Sequence, residues 1–292
     1  MADYLIIGGT GTLGQECMRQ LLTSEPEAKI TVLSRSEHKH KDLKRRFPMV
    51  KFILGDIRDL THLKREFHNK RAVFHFAALK HIDHAEENPV ECVKTNVLGT
   101  INVAEACIEA KVPFCVFSST DKAVDPITVY GNCKAVSERI LFKYNDAGIT
   151  RFSVFRWGNV TMSQGSALNT FAECLKYNNP VPITDPTMTR FWLSIEQAVS
   201  YLLDTYRHAS LSEAMVHPLM KAAPVCNVVS AIADVLGVSN FSYKIIGLRG
   251  VEKLHEALRS SHESEPVNSL TCPQYSPAEL RELVAKSLGG AA

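Results

Sequence analysis

Tyr4-Leu-Ile-Ile-Gly-Gly-Thr-Gly-Thr-Leu-Gly14 is the stretch that decides the fold, because an apolar run passes directly into a glycine-rich loop. The run predicts a buried strand over residues 4–8, and residues 13–22 have the spacing of a helix. Glycine allows the tight turn between them and lets the backbone approach a bound group closely. Alone, such a loop could be only a turn. Between a strand and a helix it is typical of a site that binds the pyrophosphate of a dinucleotide.

The following residues alternate between strand-like and helix-like runs. The predicted strands cover residues 4–8, 29–33, 50–54, 72–76, 114–118 and 151–155. The predicted helices cover residues 13–22, 60–67, 89–110 and 129–146. Near-continuous apolar strands separated by helices are typical of a parallel sheet covered on both faces. We therefore expect an α/β fold, a Rossmann-type doubly wound parallel sheet that binds ligands at the carboxyl ends of its strands.

Beyond residue 160 the alternation weakens and prolines interrupt it. The later predictions are a helix at 195–206, an element at 225–235, a strand at 243–246, a helix beginning at residue 252 and a final helix at 277–288. We predict a dinucleotide-binding domain over residues 1–160 and a smaller, mainly substrate-binding lobe over residues 161–292. Residues 188–210 are expected to pack back on the first domain.

Composition excludes several classes of protein. The net charge of +2 comes without a basic stripe interleaved with aromatics, so no nucleic-acid partner is expected. Eight cysteines lie scattered without a C-x-x-C pair, which predicts no metal site and favours a reducing cytoplasm. No apolar stretch approaches the ~20 residues that span a bilayer, so no membrane association is expected. The basic run at residues 39–46 is expected to be a solvated helix face.

The end of the second predicted strand bears on the choice of nicotinamide cofactor. Enzymes that prefer NAD usually place an acidic residue there for the ribose hydroxyls, whereas a nearby Arg accommodates the 2′-phosphate of NADP. Here the strand ends Ser34-Arg35-Ser36, and the first acidic residue is Glu37. A guanidinium can form two parallel hydrogen bonds with a phosphate. The pattern favours NADP over NAD.

Other cofactor contacts are expected after the third and fourth strands. Asp56 is a candidate contact to the adenine and could also cap a helix, and Ala77 and Ala78 would let the cofactor lie close to the backbone. The complete set of predicted cofactor contacts is Gly8, Thr10, Gly11, Thr12, Leu13, Gly14, Ser34, Arg35, Ser36, Asp56, Ile57, Ala77, Ala78, Lys80, Asn96, Tyr130 and Lys134.

Residues 118–134 carry the candidate catalytic residues. Tyr130 and Lys134 are four apart on a predicted helix and so share one face. A free tyrosine has a pKa near ~10, too high for a base at neutral pH. A nearby ammonium, and the positive charge of an oxidised nicotinamide, favour the phenolate. Such a pair can remove a proton from a sugar hydroxyl while hydride leaves the same carbon. Y-x-x-x-K is common, but here it follows a strand-ending Ser-Ser-Thr and the glycine-rich loop.

With these motifs together, the chain resembles the extended short-chain dehydrogenase/reductase family. More narrowly it resembles the inverting nucleotide-sugar 4,6-dehydratases of the polysaccharide biosynthesis type, which act on UDP-N-acetylglucosamine. Matching segments lie at residues 8–14, 77–89, 94–107, 118–134, 156–160, 165–166, 182–192 and 247–258. Retaining relatives carry an Asp-Glu pair where inverting ones carry Asp-Lys, and this chain has Asp121-Lys122.

The resemblance implies a reaction and roles for residues. Carbon 4 of the sugar is oxidised, water is lost across carbons 5 and 6, and hydride returns to carbon 6. By similarity, Tyr130 acts on the carbon 4 hydroxyl, Lys122 is the carbon 5 base, Asp121 is the acid for the carbon 6 hydroxyl, and Thr120 belongs to the same catalytic group. A plain Asp-Lys turn after a strand is the structural alternative.

Substrate contacts are also implied by the resemblance. They are Lys80, Asn159, Thr189, Arg190, Arg249 and Glu252. The two arginines suit a diphosphate, because a planar guanidinium matches its oxygens, and Glu252 suits the uridine ribose. Lys80 and Asn96 would line the active site, and Asn159 would meet the substrate near the nicotinamide. Surface ion pairs for the arginines and a helix cap for Asn96 are the structural alternatives.

The chain departs from the family pattern at three places. Trp157 replaces a tyrosine, Leu168-Asn169-Thr170 stands where a proline is usual, and residues 249–253 read Arg-Gly-Val-Glu-Lys instead of Arg-Pro-Gly-Glu-Lys. These changes bear on the sugar and its orientation. Carbon 4 epimerisation or simple oxidation is an alternative reaction, in which Lys122 would be idle. A non-catalytic nucleotide-binding protein is a third alternative. A homo-oligomer, dimer or hexamer, is expected from the resemblance, with the predicted helices at 89–110 and 129–146 as the dimer face.

Overall fold

The computed structural model describes residues 2–161, 163, 165–207, 215–216, 218–263 and 265–289. The chain divides into two compact units. The first contains Met1–Arg156 and Val199–Val216, and the second contains Trp157–Ala198 and His217–Ala292. The sequence-based boundary after residue 160 and the assignment of residues 188–210 stay predictions.

The strands are β1 (Asp3–Ile7), β2 (Lys29–Ser34), β3 (Lys51–Leu54), β4 (Ala72–His75), β5 (Phe114–Thr120), β6 (Arg151–Trp157), β7 (Asn159–Val160), β8 (Val181–Ile183), β9 (Thr189–Leu193), β10 (Met215–Val216), β11 (Ala222–Pro224), β12 (Tyr243–Ile245), β13 (Ala257–Arg259) and β14 (Val267–Asn268). The α-helices are α1 (Thr12–Ser24), α2 (Glu37–Arg46), α3 (Leu60–Glu66), α4 (Ile82–Glu87), α5 (Pro89–Val93), α6 (Gly99–Glu109), α7 (Val129–Tyr144), α8 (Ala167–Lys176), α9 (Ile195–Arg207), α10 (Val225–Leu236) and α11 (Pro277–Gly289). A π-helix spans Lys94–Leu98, and 3₁₀ turns span Asp121–Ala123 and Asn145–Ala147.

The first unit is built on a seven-stranded sheet in the order β3-β2-β1-β4-β5-β6-β10. Strand β1 pairs in parallel with β2 and β4, and β2 with β3, β4 with β5 and β6 with β10 are parallel as well. The apolar residues of the central strands are buried, as the near-continuous apolar runs predict. This strand order confirms the doubly wound fold, whose ligand crevice lies where the order reverses, between β1 and β4.

The predicted helix over residues 89–110 is in fact three successive segments, α5, the π-helix and α6. Pro89 begins α5 at a position where its missing N–H costs nothing. Gly99 begins α6, and a Cβ there would lie 2.6 Å from the Cδ1 atom of Ile57. The π-helix contains Asn96, whose side chain makes two hydrogen bonds with the backbone of the loop after β4. Single π-turns often lie at functional sites.

The predicted helix from residue 252 is wrong, because residues 252–256 form an irregular loop that leads into β13. The guanidinium of Arg190 binds this loop through its backbone carbonyl groups. It donates hydrogen bonds to the carbonyl oxygens of Lys253 at 2.8 Å and Leu254 at 3.1 Å. In a helix, these carbonyl oxygens would instead accept backbone N–H groups four residues further along. The Leu254 carbonyl oxygen also accepts the backbone N–H of Thr189. A tertiary contact thus overrides the local sequence preference.

The second unit has its own apolar core. Helix α10 packs against α8 and α11, and the buried core includes Leu168, Phe171, Trp192, Val229, Ile232 and Leu283. Its largest sheet has the order β11-β9-β7, with β9 antiparallel to β11 and parallel to β7. The expected strand at 243–246 is observed as β12, paired with β8.

Candidate active site

The glycine-rich loop joins β1 to α1 by a route that only glycine can follow. Gly8 has a φ of +76°, and a Cβ on it would lie 2.7 Å from the backbone nitrogen of Ala77. A Cβ on Gly14 would lie 2.4 Å from the Cα of Gly9. Both distances are shorter than real Cβ contacts, so each glycine is required for the loop to pack against itself and against the end of β4.

Helix α1 begins with an open N-terminus. Its N-cap is Gly11, which has no side chain to cap the helix, and its first turn contains no acidic residue. The backbone N–H groups of a first helical turn lack intrahelical partners, and the helix dipole places partial positive charge there. The loop and helix start therefore fit a pyrophosphate. Thr12, Leu13 and Gly14 lie in this turn, and their contact with a cofactor stays a prediction.

At the end of β2, three side chains form a hydrogen-bonded chain. The Thr10 hydroxyl donates to the Ser34 Oγ at 3.2 Å, and the Ser34 Oγ lies 2.6 Å from the Nε2 of His40. Arg35 is exposed beside them. Ser36 is the N-cap of α2 and accepts the backbone N–H of Lys39 at 3.4 Å. The basic run at 39–46 lies in this helix, as the solvated-face interpretation predicts.

Asp56 follows β3 and is held by Arg58. The carboxylate accepts the Arg58 backbone N–H at 2.9 Å and two guanidinium N–H groups at 3.0 and 2.7 Å. Burial would raise the pKa of Asp56, but the Arg58 hydrogen bonds and the charge of Arg35 bring it below its ordinary value. The residue that caps α3 is Asp59, so the alternative of Asp56 as a helix cap is wrong.

The loop after β4 is held by hydrogen bonds from the side chain of Asn96. Its Oδ1 accepts the Leu79 backbone N–H and its Nδ2 donates to the Leu79 carbonyl, both at 2.8 Å. The same Nδ2 donates to the Cys92 Sγ at 3.2 Å, and the residue is 1% exposed. Asn96 therefore fixes the backbone beside Ala78 and Lys80, and a direct contact from its side chain to a cofactor stays a prediction.

The Asp-Lys pair lies immediately after β5, in the 3₁₀ turn Asp121–Ala123. Asp121 Oδ1 accepts the Thr120 hydroxyl at 3.0 Å and the Lys122 ammonium at 3.1 Å. Thr120 Oγ1 also accepts the Lys122 backbone N–H at 3.3 Å, which closes the turn. The Asp121 side chain is 1% exposed and that of Lys122 is 22% exposed. Solvent therefore reaches the pair through Lys122.

Tyr130 lies in the first turn of α7, and two side chains fix the start of that helix. Thr128 caps it by accepting the Gly131 backbone N–H at 2.9 Å, and Glu86 accepts the Val129 backbone N–H at 2.7 Å. These bonds satisfy donors that a helix start leaves without intrahelical partners. They hold Tyr130 next to the turn that carries the Asp-Lys pair.

The surroundings of Tyr130 differ from the sequence-based expectation in one respect. Burial raises the pKa of Tyr130 to about 12, with the charge of Asp121 acting in the same direction. The charge of Lys122 and a hydrogen bond with Thr120 oppose this rise. The ammonium that favours the Tyr130 phenolate is thus Lys122, rather than Lys134 as expected.

Lys134 is directed at the strand instead. Its ammonium donates to the Ser118 carbonyl at 2.7 Å and lies 4.1 Å from the centre of the Phe117 ring. Burial lowers the pKa of Lys134 to about 8, and the charge of Glu138 partly offsets this effect. The ammonium is therefore held at the end of β5, beside the residue that precedes the Ser-Thr-Asp-Lys segment.

Sequence reasoning missed a buried ion pair behind this site. Glu138, on the same face of α7 as Lys134, binds Arg156 at the end of β6 through contacts of 2.7 and 3.1 Å. The Ser119 hydroxyl also donates to the Glu138 carboxylate. Both charged side chains are at most 5% exposed. The i, i+4 spacing of Lys134 and Glu138 could have placed Glu138 on the buried face of α7, but it carries no information about Arg156 as the partner.

In the second unit, the predicted substrate residues surround β9 and the loop before β13. Thr189 Oγ1 lies 2.8 Å from both the His255 Nδ1 and the Ser269 Oγ. Arg190 is 7% exposed and holds the loop carbonyls described above. Asn159 lies on β7, opposite Trp192 of β9.

Arg249 and Glu252 form an ion pair at 3.0 Å. Burial alone would raise the pKa of Glu252, but the hydrogen bond and charge of Arg249 bring it below its ordinary value. The other carboxylate oxygen, Glu252 Oε2, is buried without a hydrogen-bond partner in the described structure. A buried carboxylate oxygen in this state suits a ligand hydroxyl that can donate to it.

Three further features of the described residues bear on the sequence-based expectations. All eight cysteines lie in the described part of the chain, and none forms a disulfide. Within the described ranges, no group of three or more His, Cys, Asp or Glu side chains is placed to hold a metal ion. No helix among those residues is both long and apolar enough to cross a bilayer.

Comparison with known proteins gives consistent matches. A family profile described as "Polysaccharide biosynthesis protein" matches residues 4–275. A Campylobacter jejuni protein named "UDP-N-acetylglucosamine 4,6-dehydratase (inverting)" is 38% identical over 90% of this chain and 78% of its own length. A Rickettsia rickettsii protein named "UDP-glucose 4-epimerase" is 34% identical over 96% of this chain and 84% of its own. The crystal structure of Pen from Bacillus thuringiensis superposes with a TM-score of 0.90 at 28% identity, covering 98% of this chain and 97% of that one.

Proposed function

Since the chain belongs to the polysaccharide biosynthesis protein family, we propose that it is a nucleotide-sugar 4,6-dehydratase that converts UDP-N-acetylglucosamine to a UDP-4-keto-6-deoxy-hexosamine with inversion at carbon 5. The observation that carries this proposal is the contact between Lys122 and Asp121 at the end of β5. Dehydration needs a base and an acid near the same sugar, and this pair supplies one of each.

The cofactor proposed for the reaction is NADP. The loop from Gly8 to Gly14 and the N-terminus of α1 would hold its pyrophosphate, and Arg35 would meet its 2′-phosphate. When bound, the nicotinamide supplies a reversible acceptor for the hydride of carbon 4. Lys134, whose ammonium lies at the end of β5, is proposed to bind a ribose hydroxyl of the cofactor.

The protonation states of Asp121 and Lys122 explain how the pair can supply both a base for carbon 5 and an acid for the carbon 6 hydroxyl. An Asp121 carboxylate with a Lys122 ammonium holds the same number of protons as a carboxylic acid with a free amine. Transfer of one proton along the 3.1 Å contact converts the ion pair into an acid and a base. Lys122 then takes the carbon 5 proton, Asp121 gives its proton to the departing carbon 6 hydroxyl, and water leaves. This elimination regenerates the ion pair. Inversion then requires a proton that reaches the opposite face of carbon 5 from solvent rather than from Lys122.

Tyr130 is proposed to remove the proton of the carbon 4 hydroxyl. Its burial keeps the phenol protonated in the free protein, because its pKa is raised to about 12. Added positive charge from a bound oxidised nicotinamide would lower that pKa again. A bound cofactor would therefore favour the phenolate that removes the carbon 4 hydroxyl proton.

The second unit is proposed to bind the UDP portion of the substrate. Arg249 is half exposed and can meet the diphosphate, whereas Arg190 acts mainly by fixing the loop that carries Glu252. The buried Oε2 of Glu252 is available to a ribose hydroxyl. Thr189 and Asn159 would contact the sugar.

Carbon 4 epimerisation is the second candidate function. It is favoured by the 34% identity to a protein named UDP-glucose 4-epimerase. Epimerisation needs Tyr130 and the cofactor but no base for carbon 5 and no acid for carbon 6. The buried Asp-Lys pair would then have no chemical use, so the structure supports dehydration better.

Incubation with UDP-N-acetylglucosamine, followed by NMR of the product, tests the proposal. We expect a 4-keto-6-deoxy sugar from the native protein and none from Lys122→Met. A matched control is Lys143→Met, which removes the lysine of an exposed Asp-Lys pair and should leave turnover unchanged. A product that keeps its carbon 6 hydroxyl with carbon 4 inverted, formed equally by Lys122→Met, would instead establish the epimerase.

Cellular location and assembly are part of the same proposal. Eight unpaired cysteines, five of them buried, suit a reducing compartment, so we place the enzyme in the cytoplasm. A homodimer or a hexamer is the expected assembly. Several apolar side chains of α5, the π-helix and α7 are exposed in the single chain, among them Val90, Leu98 and Val136, and the dimer face is proposed to lie there.

A further inference from the structure

Ser34, the last residue of β2, bonds to groups from two other elements. Its Oγ accepts the Thr10 hydroxyl of the glycine-rich loop at 3.2 Å and lies 2.6 Å from the Nε2 of His40 on α2. The ring of His40 packs on Phe52 of β3, with 5.4 Å between the ring centres. Loop, strand and helix are thus joined through one serine hydroxyl.

The end of β2 is where the adenosine ribose of a dinucleotide is recognised in this fold. An acidic side chain there would accept the ribose 2′-hydroxyl and repel a 2′-phosphate. In this chain the position is held by Ser34, followed by the exposed Arg35, and the nearest imidazole is that of His40. A hydroxyl can serve either ligand, because it offers one donor and two acceptor sites.

We propose that His40 is a proton-linked specificity residue for the 2′-phosphate of NADP, acting through the hydroxyl of Ser34. With Nε2 unprotonated, the imidazole accepts a hydrogen bond from the Ser34 hydroxyl, so the hydroxyl cannot donate to a phosphate. When His40 gains a proton, its Nε2–H donates to the Ser34 Oγ instead. The Ser34 hydroxyl then accepts from Thr10 and His40 and is released to donate to a phosphate oxygen. This inference rests on the proposed use of NADP.

The charges around His40 favour proton uptake on binding. Burial lowers the pKa of His40 below its ordinary value, and the negative charge of Glu37 on the same helix partly offsets this. Arg35 directly follows the strand end and is exposed, and Thr10 of the loop and Phe52 of β3 are uncharged. A phosphate dianion would tip the balance, because an opposite charge within a few ångströms favours the protonated imidazole. NAD, which lacks this phosphate, would leave His40 neutral.

Isothermal titration calorimetry of the full chain tests this inference. NADP and NAD are titrated at pH 7.5 in buffers that differ in ionisation enthalpy, which gives the number of protons taken up per ligand. We expect uptake of part of a proton with NADP and none with NAD. We also expect NADP affinity to fall between pH 7 and 8.5, by at most about tenfold per pH unit, the limit for one linked proton.

The decisive variant is His40→Gln, whose side-chain amide can bond to Ser34 but does not titrate near neutral pH. Its proton uptake should fall towards zero and its NADP affinity should flatten with pH, while NAD binding is retained. The matched control is His38→Gln, which removes an exposed histidine of the same helix and should keep the native uptake.

Three results would overturn the inference. They are equal uptake with NAD and NADP, native uptake in His40→Gln, and a chain that binds NAD but not NADP. The last result would also refute the proposed cofactor, whereas the first two leave it standing. If His40→Gln does not fold, NMR titration of His40 in the native chain decides, because saturating NADP must raise its pKa and saturating NAD must not.

Discussion

The ammonium of Lys122 lies 3.1 Å from a carboxylate oxygen of Asp121, and the carboxylate is 1% exposed while the lysine reaches solvent. Two adjacent residues therefore form an ion pair in which the Asp121 side chain is buried and the Lys122 side chain is partly exposed to solvent. Since one proton transfer along this contact yields an acid and a base, the two side chains should behave as one functional unit.

The first prediction concerns that unit. Asp121→Asn and Lys122→Met should each lower kcat for dehydration by about 10²–10⁴-fold, the usual contribution of acid–base catalysis. The double variant should be little worse than either single one, because removing one partner disables the other. Steady-state kinetics measure all three, with Asp146→Asn and Lys143→Met as the exposed control pair. Multiplicative losses would show that the two residues act separately.

The second prediction concerns the buried pair behind the site. Glu138→Gln leaves the Arg156 guanidinium buried without its counter-charge and should cost about 3–5 kcal/mol of unfolding free energy. Chemical denaturation followed by fluorescence measures the loss. Glu282→Gln removes a carboxylate from an exposed pair with Lys286 and should change stability by less than about 0.5 kcal/mol. Similar small losses in both variants would contradict the assigned role of Glu138.

The third prediction concerns the glycine-rich loop. Gly8→Ala places a Cβ 2.7 Å from the Ala77 nitrogen in a backbone conformation with φ of +76°. We expect lower stability and at least tenfold weaker NADP binding, measured by thermal melting and calorimetry. Gly148 has a similar φ of +64° but no atom within 4 Å of its Cβ position. Gly148→Ala should therefore cost only about 1–2 kcal/mol with binding intact. NADP binding retained by Gly8→Ala would refute the proposed cofactor loop.

The fourth prediction concerns pH and Lys134, whose pKa is lowered to about 8 in the folded chain. Below pH 8 both folded and unfolded chains hold this proton, so the buried charge costs stability in full. Between pH 8 and about 10.5 the unfolded chain alone holds it, and raising the pH should stabilise the fold. The unfolding free energy of the native protein should thus rise relative to that of Lys134→Met over this range, by roughly 3 kcal/mol at its limit. A difference independent of pH would contradict the lowered pKa.

The sheet could be predicted from the sequence because its strands are buried on both faces and read as apolar runs. The glycine-rich loop was equally readable, because its backbone route excludes side chains at Gly8 and Gly14. The helix predicted from residue 252 was wrong because Arg190, distant in the sequence, takes the carbonyls of that segment. Local patterns carry no information about such a partner.

For some residues of the site the sequence predicted a role, whereas for others it could not predict the contacts. The spacing of Tyr130 and Lys134 indicated a catalytic pair, and the family resemblance added Asp121 and Lys122 to it. In the structure, Asp121 and Lys122 lie in a turn and Tyr130 lies in the first turn of α7. The direction of the Lys134 ammonium, towards the Ser118 carbonyl, depends on side-chain rotamers and burial that spacing alone does not determine. The contact between Ser34 and His40 likewise needs the packing of α2 on β3.

The measurement that tests the proposed mechanism most directly is the deuterium content of carbon 5 in product formed from UDP-N-acetylglucosamine in heavy water. Elimination by Lys122 removes the carbon 5 proton, and inversion requires a proton from another source to replace it. We predict a 4-keto-6-deoxy product with solvent deuterium at carbon 5 and the inverted configuration there. A 4-keto-6-deoxy product that keeps its original hydrogen at carbon 5 would contradict the mechanism.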